Sequence, residues 1–209
     1  MGMIRYRWLW VGLVALLLFA RMAAAEAGLV MGPRALIEQT TGEFLQAVAN
    51  NREGILKDPD LAHRLVDEIV TPHIDVDATG RYMLGKHWRK GTPEQRDRFL
   101  YELRKMLVRS YANALAEYKA GDQINYISER VNDDGTLAVV RVQIPRPRTN
   151  QPADVAYRLH KTSGEWKVFD VTIEGVSMVT TYRSTFRVKL DRQGLDSVIE
   201  ELAALNNKN

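Results

Sequence analysis

The sequence predicts an α+β fold, a four-stranded antiparallel sheet wrapped by helices. Three observations predict it. Between residue 33 and about residue 118, apolar side chains recur at helical spacing. Between residues 124 and 173 the period switches to two, in four runs separated by turn signals. After Glu174-Gly175 the helical period returns and lasts almost to the end. Strands gathered in one block between helices argue α+β rather than alternating α/β. A sheet solvated on one face and helix-covered on the other can also enclose a cavity between the two layers.

The helical block opens at Gly32-Pro33, with Leu36, Ile37, Thr40, Phe44, Leu45 and Val48 as an apolar stripe. Asp58-Pro59 suits an N-cap followed by proline in the first turn. Leu61, Leu65, Val66 and Ile69 continue that second helix until Thr71-Pro72 ends it. From His73 to Lys90 the pattern predicts a short helix and an irregular connector, with Gly80 and Gly85 as breakers. Thr92-Pro93-Glu94-Gln95 has the form of a capping box. The helix it starts carries Phe99, Leu103, Met106, Leu107, Ser110, Tyr111, Ala114 and Tyr118 on one face, and Gly121 is a stop.

The strands follow. Ile124 to Val131 and Leu137 to Ile144 flank the turn Asn132-Asp133-Asp134-Gly135. Pro145 to Pro152 is a loop carrying Arg146 and Arg148, too proline-rich to pair and read as solvated. Val155, Tyr157 and Leu159 mark the third strand, and Thr162-Ser163-Gly164 turns into the fourth at Trp166. There Phe169, Val171 and Ile173 point one way, Asp170 and Thr172 the other. Val179, Tyr182 and Phe186 then recur at helical spacing beside Arg183 and Arg187. Beyond Gly194, Leu195, Val198, Ile199, Leu202 and Leu205 form a last helix.

The formal charge of +3 over 209 residues misleads. Residues 1–25 hold Arg5, Arg7 and Arg21 and no acid; without them 26 basic and 26 acidic side chains balance. That balance gives no global pull toward nucleic acid. The same 25 residues have the form of a secretory signal: a positive start, an apolar run from Leu9 to Ala20, and Ala23-Ala24-Ala25 as the cleavage site. The run is about a dozen residues, short of the roughly 20 that span a bilayer. The expectation is therefore cleavage, leaving residues 26–209 as one domain. The absence of cysteine excludes disulfides, thiolate catalysis, Cys-bound zinc and a lipoprotein anchor.

Catalytic signals are sparse. His63, His73, His87 and His160 are scattered without metal-binding spacing. Gly175-Val176-Ser177 begins like a nucleophile elbow, but Val179 stands where the second glycine belongs, and Ser177 suits a helix cap. Asn132-Asp133-Asp134-Gly135 lacks the alternating ligands of a calcium loop. No glycine-rich phosphate loop is present. What remains is apolar: Met106, Tyr111, Val142, Tyr157, Phe169, Val171, Tyr182 and Phe186 suit either a cavity lining or an ordinary core. A small-substrate enzyme would need a buried acid or base, with Asp170, Glu174 or His160 as candidates, all three expected at exposed strand or turn positions. An adaptor would need no cavity at all.

Two motifs add a resemblance. Trp166-Lys167-Val168-Phe169-Asp170, followed by Glu174-Gly175-Val176-Ser177-Met178 and the Tyr182-Arg183 to Phe186 helix, resembles the MlaC family of periplasmic phospholipid-binding proteins, also called toluene-tolerance auxiliary proteins. Gly85-Lys86-His87-Trp88 with Thr92-Pro93-Glu94-Gln95 resembles a second segment of that family, and Gly194-Leu195-Asp196 fits its closing helix. Ile74 to Gly80 departs from the family pattern. The resemblance implies a non-enzymatic carrier without cofactor or metal, located in the periplasm, with lipid tails against the eight apolar residues named above. Tyr111, Tyr157, Phe169 and Phe186 would be its larger wall elements. It implies phospholipid as cargo, or a hopanoid in some members. It further implies two docking partners: an outer-membrane lipoprotein–porin complex, and an MlaD-like inner-membrane component of an ABC transporter.

Overall fold

The computed structural model describes residues 31–117, 123–146 and 151–207, without the side chains of 59 and 109–117. The expected signal segment, the Gly121 stop and Arg148 lie outside the described residues. The chain divides into two units, Met1–Met31 and Gly32–Asn209, and every element of secondary structure described belongs to the second.

Helix α1, Pro33–Asn50, starts with proline in its first turn and buries Leu36, Ile37, Thr40 and Val48. Two short helices follow, α2 at Arg52–Lys57 and α3 at Pro59–Leu65. The Asp58 side chain accepts the amide of Asp60 at 3.1 Å, as its N-cap position demands. The second helix was expected to run on to Thr71-Pro72; instead α3 widens into a π-turn at Val66–Val70 and tightens into a 3₁₀ turn at Thr71–His73. Helix α4, Val76–Leu84, is capped by Asp75, whose carboxylate accepts the amide of Ala78 at 2.7 Å. Gly80 is not a breaker. It sits inside α4, where a Cβ would lie 2.3 Å from the Trp88 ring, so the missing side chain seats the indole. Gly85, at φ 54°, does end α4 and leads into α5, Lys86–Lys90. Helix α6, Pro93–Glu117, starts with a full capping box: Gln95 N–H donates to Thr92 Oγ1 at 3.2 Å, and Thr92 N–H to Gln95 Oε1 at 3.0 Å.

The sheet is an antiparallel meander in the order β1 (Asn125–Val131), β2 (Leu137–Ile144), β3 (Ala153–Thr162), β4 (Glu165–Ile173), β5 (Val176–Ser177). Four strands were expected. The fifth exists because Glu174 (φ 49°) and Gly175 (φ 78°) both turn left-handed, folding two residues back on β4 with Ile173 opposite Val176. The expected facing of Phe169 is corrected as well. Arg158 pairs with Asp170 and Leu159 with Val168, so Phe169 is the extra residue of a bulge. It leaves the face of Val171 and Ile173 and packs near His160 and Tyr82, at centroid distances of 5.3 and 5.4 Å.

Helix α7 spans Met178–Asn206 and is broken at Gly194 (φ 81°, ψ −176°). Its two halves match the two helices expected on either side of that glycine.

Three apolar clusters hold these parts. Met83, Leu84, Trp88, Phe99, Leu103, Phe186, Leu190 and Ile199 join α4 to α7. Leu36 and Ile37 of α1 cover Ala138, Val140, Val142, Val155, Leu159, Trp166 and Val168 on the sheet. Val48, Ile55 and Ala62 tie α1 to α2 and α3. Each fully buried Leu, Val or Phe contributes about 1.5–3 kcal/mol by leaving water.

Candidate functional site

Alternation places one apolar row after another across the inner, α1-facing side of the sheet. In the row Ala138–Leu159–Val168 every side chain is buried. In the next, Val140 is buried while its cross-strand neighbours Tyr157 and Val171 are half-buried. Beyond it, Val142 and Val155 are buried between half-buried Tyr126 and Ile173. The last pair, Ile144 and Ala153, is half-buried. The inner face is thus fully covered at one end and incompletely covered at the other. Eight described apolar residues packed against this cluster are only partly buried, Ile74 and seven between Ile124 and Ile173. Burial pushes the Tyr157 phenol above its usual range, with a bond to the Thr41 hydroxyl of α1 opposing the shift. The tyrosine therefore points into the space between α1 and the sheet.

The helical cluster has a similar fringe of Leu100, Met106, Leu107 and Tyr182. The Tyr182 hydroxyl approaches Met106 Sδ at 3.8 Å, and its ring stacks on Phe186 at 5.7 Å and 22°. Phe186 is itself buried and meets Phe99 edge-on at 5.9 Å.

The eight candidates named from sequence thus fall into separate groups. Met106, Tyr182 and Phe186 meet in the helical cluster. Val142, Tyr157 and Val171 meet on the inner sheet face. Phe169 stands apart on the bulge, under the Arg158 guanidinium at 5.0 Å. Tyr111 lies in α6, with its side chain outside the described residues. Sequence reasoning did not name Tyr126, Ile144 and Ile173 among the cargo contacts, although all three belong to the half-buried inner face. Their signal was strand parity, since each shares a face with Val142 or Val171.

The polar candidates are committed to structure. Asp170 is buried, not exposed as expected: its side chain is 1% accessible. It accepts the Ser177 hydroxyl at 2.7 Å and the Val179 amide at 3.1 Å, and Arg158 lies 3.4 Å away. Ser177 in turn accepts the Thr180 amide at 3.1 Å and caps α7. Glu174 is taken by Arg146 and by the Asp154 amide. His160 Nε2 lies 2.7 Å from Asp75. Burial resists ionisation of Asp75, but the Ala78 amide and His160 outweigh it and hold the carboxyl below its usual range. None of these groups is left over as a general acid or base. Among the described residues, no three His, Asp or Glu side chains are grouped to hold a metal ion, and no helix is long and apolar enough to cross a membrane.

The two sequence motifs become two tertiary joints. Asp170 at the end of Trp-x-x-Phe-Asp receives the start of α7 that Glu-Gly-Val-Ser delivers. Trp88 is buried on Gly80 and is crossed by Arg96 from the α6 capping turn, whose Nε donates to the Trp88 carbonyl at 2.9 Å. A profile described as MlaC protein matches residues 38–204, a span holding both joints. The chain belongs to the MlaC family. An intermembrane phospholipid transport system binding protein, MlaC of Haemophilus influenzae, is 26% identical over 195 residues, covering 92% of this chain and 91% of that one. The toluene tolerance protein ttg2D of Pseudomonas putida is 30% identical over 165 residues, 78% of this chain and 75% of that one. The solved structure of a phospholipid-binding protein from Ralstonia solanacearum, in complex with a phospholipid, matches with a TM-score of 0.73 at 26% identity. It covers 82% of this chain and 95% of its own. Of the two joints, the one at Asp170 lies on β4, the strand that also carries Val171 and Ile173, while the one at Trp88 belongs to the helical cluster.

Proposed function

We propose that this chain is a non-enzymatic lipid carrier, exported by its first 25 residues, that holds phospholipid tails while crossing the periplasm. The observation that carries this reading is the set of inner-face side chains left only half-buried, Tyr126, Ile144, Tyr157, Val171 and Ile173, around the buried Val142 and Val155. The phospholipid complex of the Ralstonia relative supports it. Two acyl chains of about 16 carbons would cost on the order of 25 kcal/mol to expose to water, at about 0.8 kcal/mol per CH₂. A carrier therefore needs apolar surface that its own core does not consume. Tyr157 and Val171 would supply it from the sheet, with Val142 buried behind them, and Met106, Tyr111 and Tyr182 from the helices. Phe169 and Phe186 would brace those walls rather than line them. The carrier would take lipid from an outer-membrane lipoprotein–porin complex and exchange it with an MlaD-like inner-membrane component, or the reverse.

The test is native mass spectrometry of the protein purified from a Gram-negative periplasm, with lipid extraction in parallel. The expected bound mass is that of a diacyl phospholipid. A hopanoid mass would keep the carrier and replace the cargo. A bare protein mass that persists after incubation with lipid vesicles would overturn the reading.

A further inference from the structure

A cleft of about 290 Å³ opens between the α4–α5 junction and the first half of α7. Its floor is apolar, made by Met83, Leu84 and Leu190, all buried. Its rim carries Lys86, His87, Arg183, Arg187 and Asp191. The single acid is already engaged: Asp191 Oδ1 lies 2.7 Å from Lys86 Nζ and 3.2 Å from His87 Nε2. Arg183 and Arg187 are exposed, one helical turn apart, and neither has an ion-pair or hydrogen-bond partner among the described residues. Like charges at this spacing repel, so an anion bound between them is favoured over an empty site. Two guanidinium forks converging on one concavity match the tetrahedral oxygens of a phosphate. The apolar floor, with exposed Tyr82 and Val188 next in the chain to the lining residues Met83 and Arg187, suits the boundary of a bilayer better than a free ion in water. The cleft shares no residue with the walls assigned to the cargo tails.

We propose that this cleft docks the phosphate of an anionic phospholipid headgroup presented at a membrane surface, separately from the cargo lipid. The test is co-sedimentation of the purified protein with vesicles of phosphatidylcholine alone and of phosphatidylcholine mixed with phosphatidylglycerol, at low and high salt. The comparison is with the double variants Arg183→Gln/Arg187→Gln and Arg183→Lys/Arg187→Lys. The expected result is salt-sensitive binding to the phosphatidylglycerol vesicles that falls roughly 30-fold in the glutamine variant, the loss expected of two cations at a membrane surface, and less steeply in the lysine variant, which keeps the charge but loses the fork. Native mass spectrometry should show the same lipid load in all three proteins, so a failure of docking is distinguishable from a failure of carriage. Equal binding by the wild type and the glutamine variant would overturn the proposal. So would equal binding to both vesicle types, or capture of inorganic phosphate without any association with vesicles.

Discussion

Asp170 shows what one buried carboxylate can do without catalysis. Its two oxygens take a hydroxyl, a backbone amide and a guanidinium from three different places, so β4, β3 and the start of α7 are fixed at one point. Removing the carboxylate leaves a buried amide without its acceptor, and that cost exceeds the worth of an ordinary hydrogen bond. Asp170→Ala is expected to lower the unfolding free energy by about 3 kcal/mol, measured by urea denaturation. An unchanged midpoint would mean that water replaces the carboxylate there. Gly80 makes a comparable point with no side chain at all, because its contribution is the space that Trp88 fills.

At the scale of elements, the local signals were legible and the long-range ones were not. Thr92 with Gln95, Asp58 and Ser177 each cap a helix through atoms no more than three residues away, so sequence alone locates them. Phe169 could not be placed that way, because its facing depends on where β3 inserts it into the pairing. The two residues of β5 were hidden because so short a strand shows no period, and Gly80 looked like a helix breaker because its partner lies in the next helix. The candidate site suffered more than the fold. Parity identified which strand residues face inward, but how far a helix covers them is set by packing across more than a hundred residues of chain. Gly194 is the element-scale feature most open to test. Its backbone lies in a region that essentially only glycine enters, and a Cβ there would meet nothing within 4 Å. Gly194→Ala is therefore expected to destabilise by about 1–3 kcal/mol from backbone strain alone, read as a lower Tm in a calorimeter. A shift near zero would mean that the break relaxes into a continuous helix.

For the whole molecule, the decisive property is apolar surface withheld from its own core. Val171 tests it better than Val142, because Val142 is only 2% accessible and a large residue there would disrupt the core itself. Val171→Trp is expected to fold with a near-native circular dichroism spectrum while co-purifying with several-fold less lipid; an undiminished load would remove Val171 from the cargo wall. A protein that leaves such surface partly bare runs the risk of self-association, and the two margins of the sheet bear on that risk. On one side β1 is interrupted by a bulge between Tyr126 and Ser128, and its next residues are Glu129 and Arg130, with Glu129 held by the backbone amide of Arg34. On the other side β5 is only two residues long before the chain turns into α7. A neighbouring copy seeking to extend the sheet meets a buckled, charged margin or a stub too short to template a strand. Crowded copies of the protein are thereby denied the backbone-to-backbone route into fibrils, whatever apolar surface each leaves half-buried on its inner face.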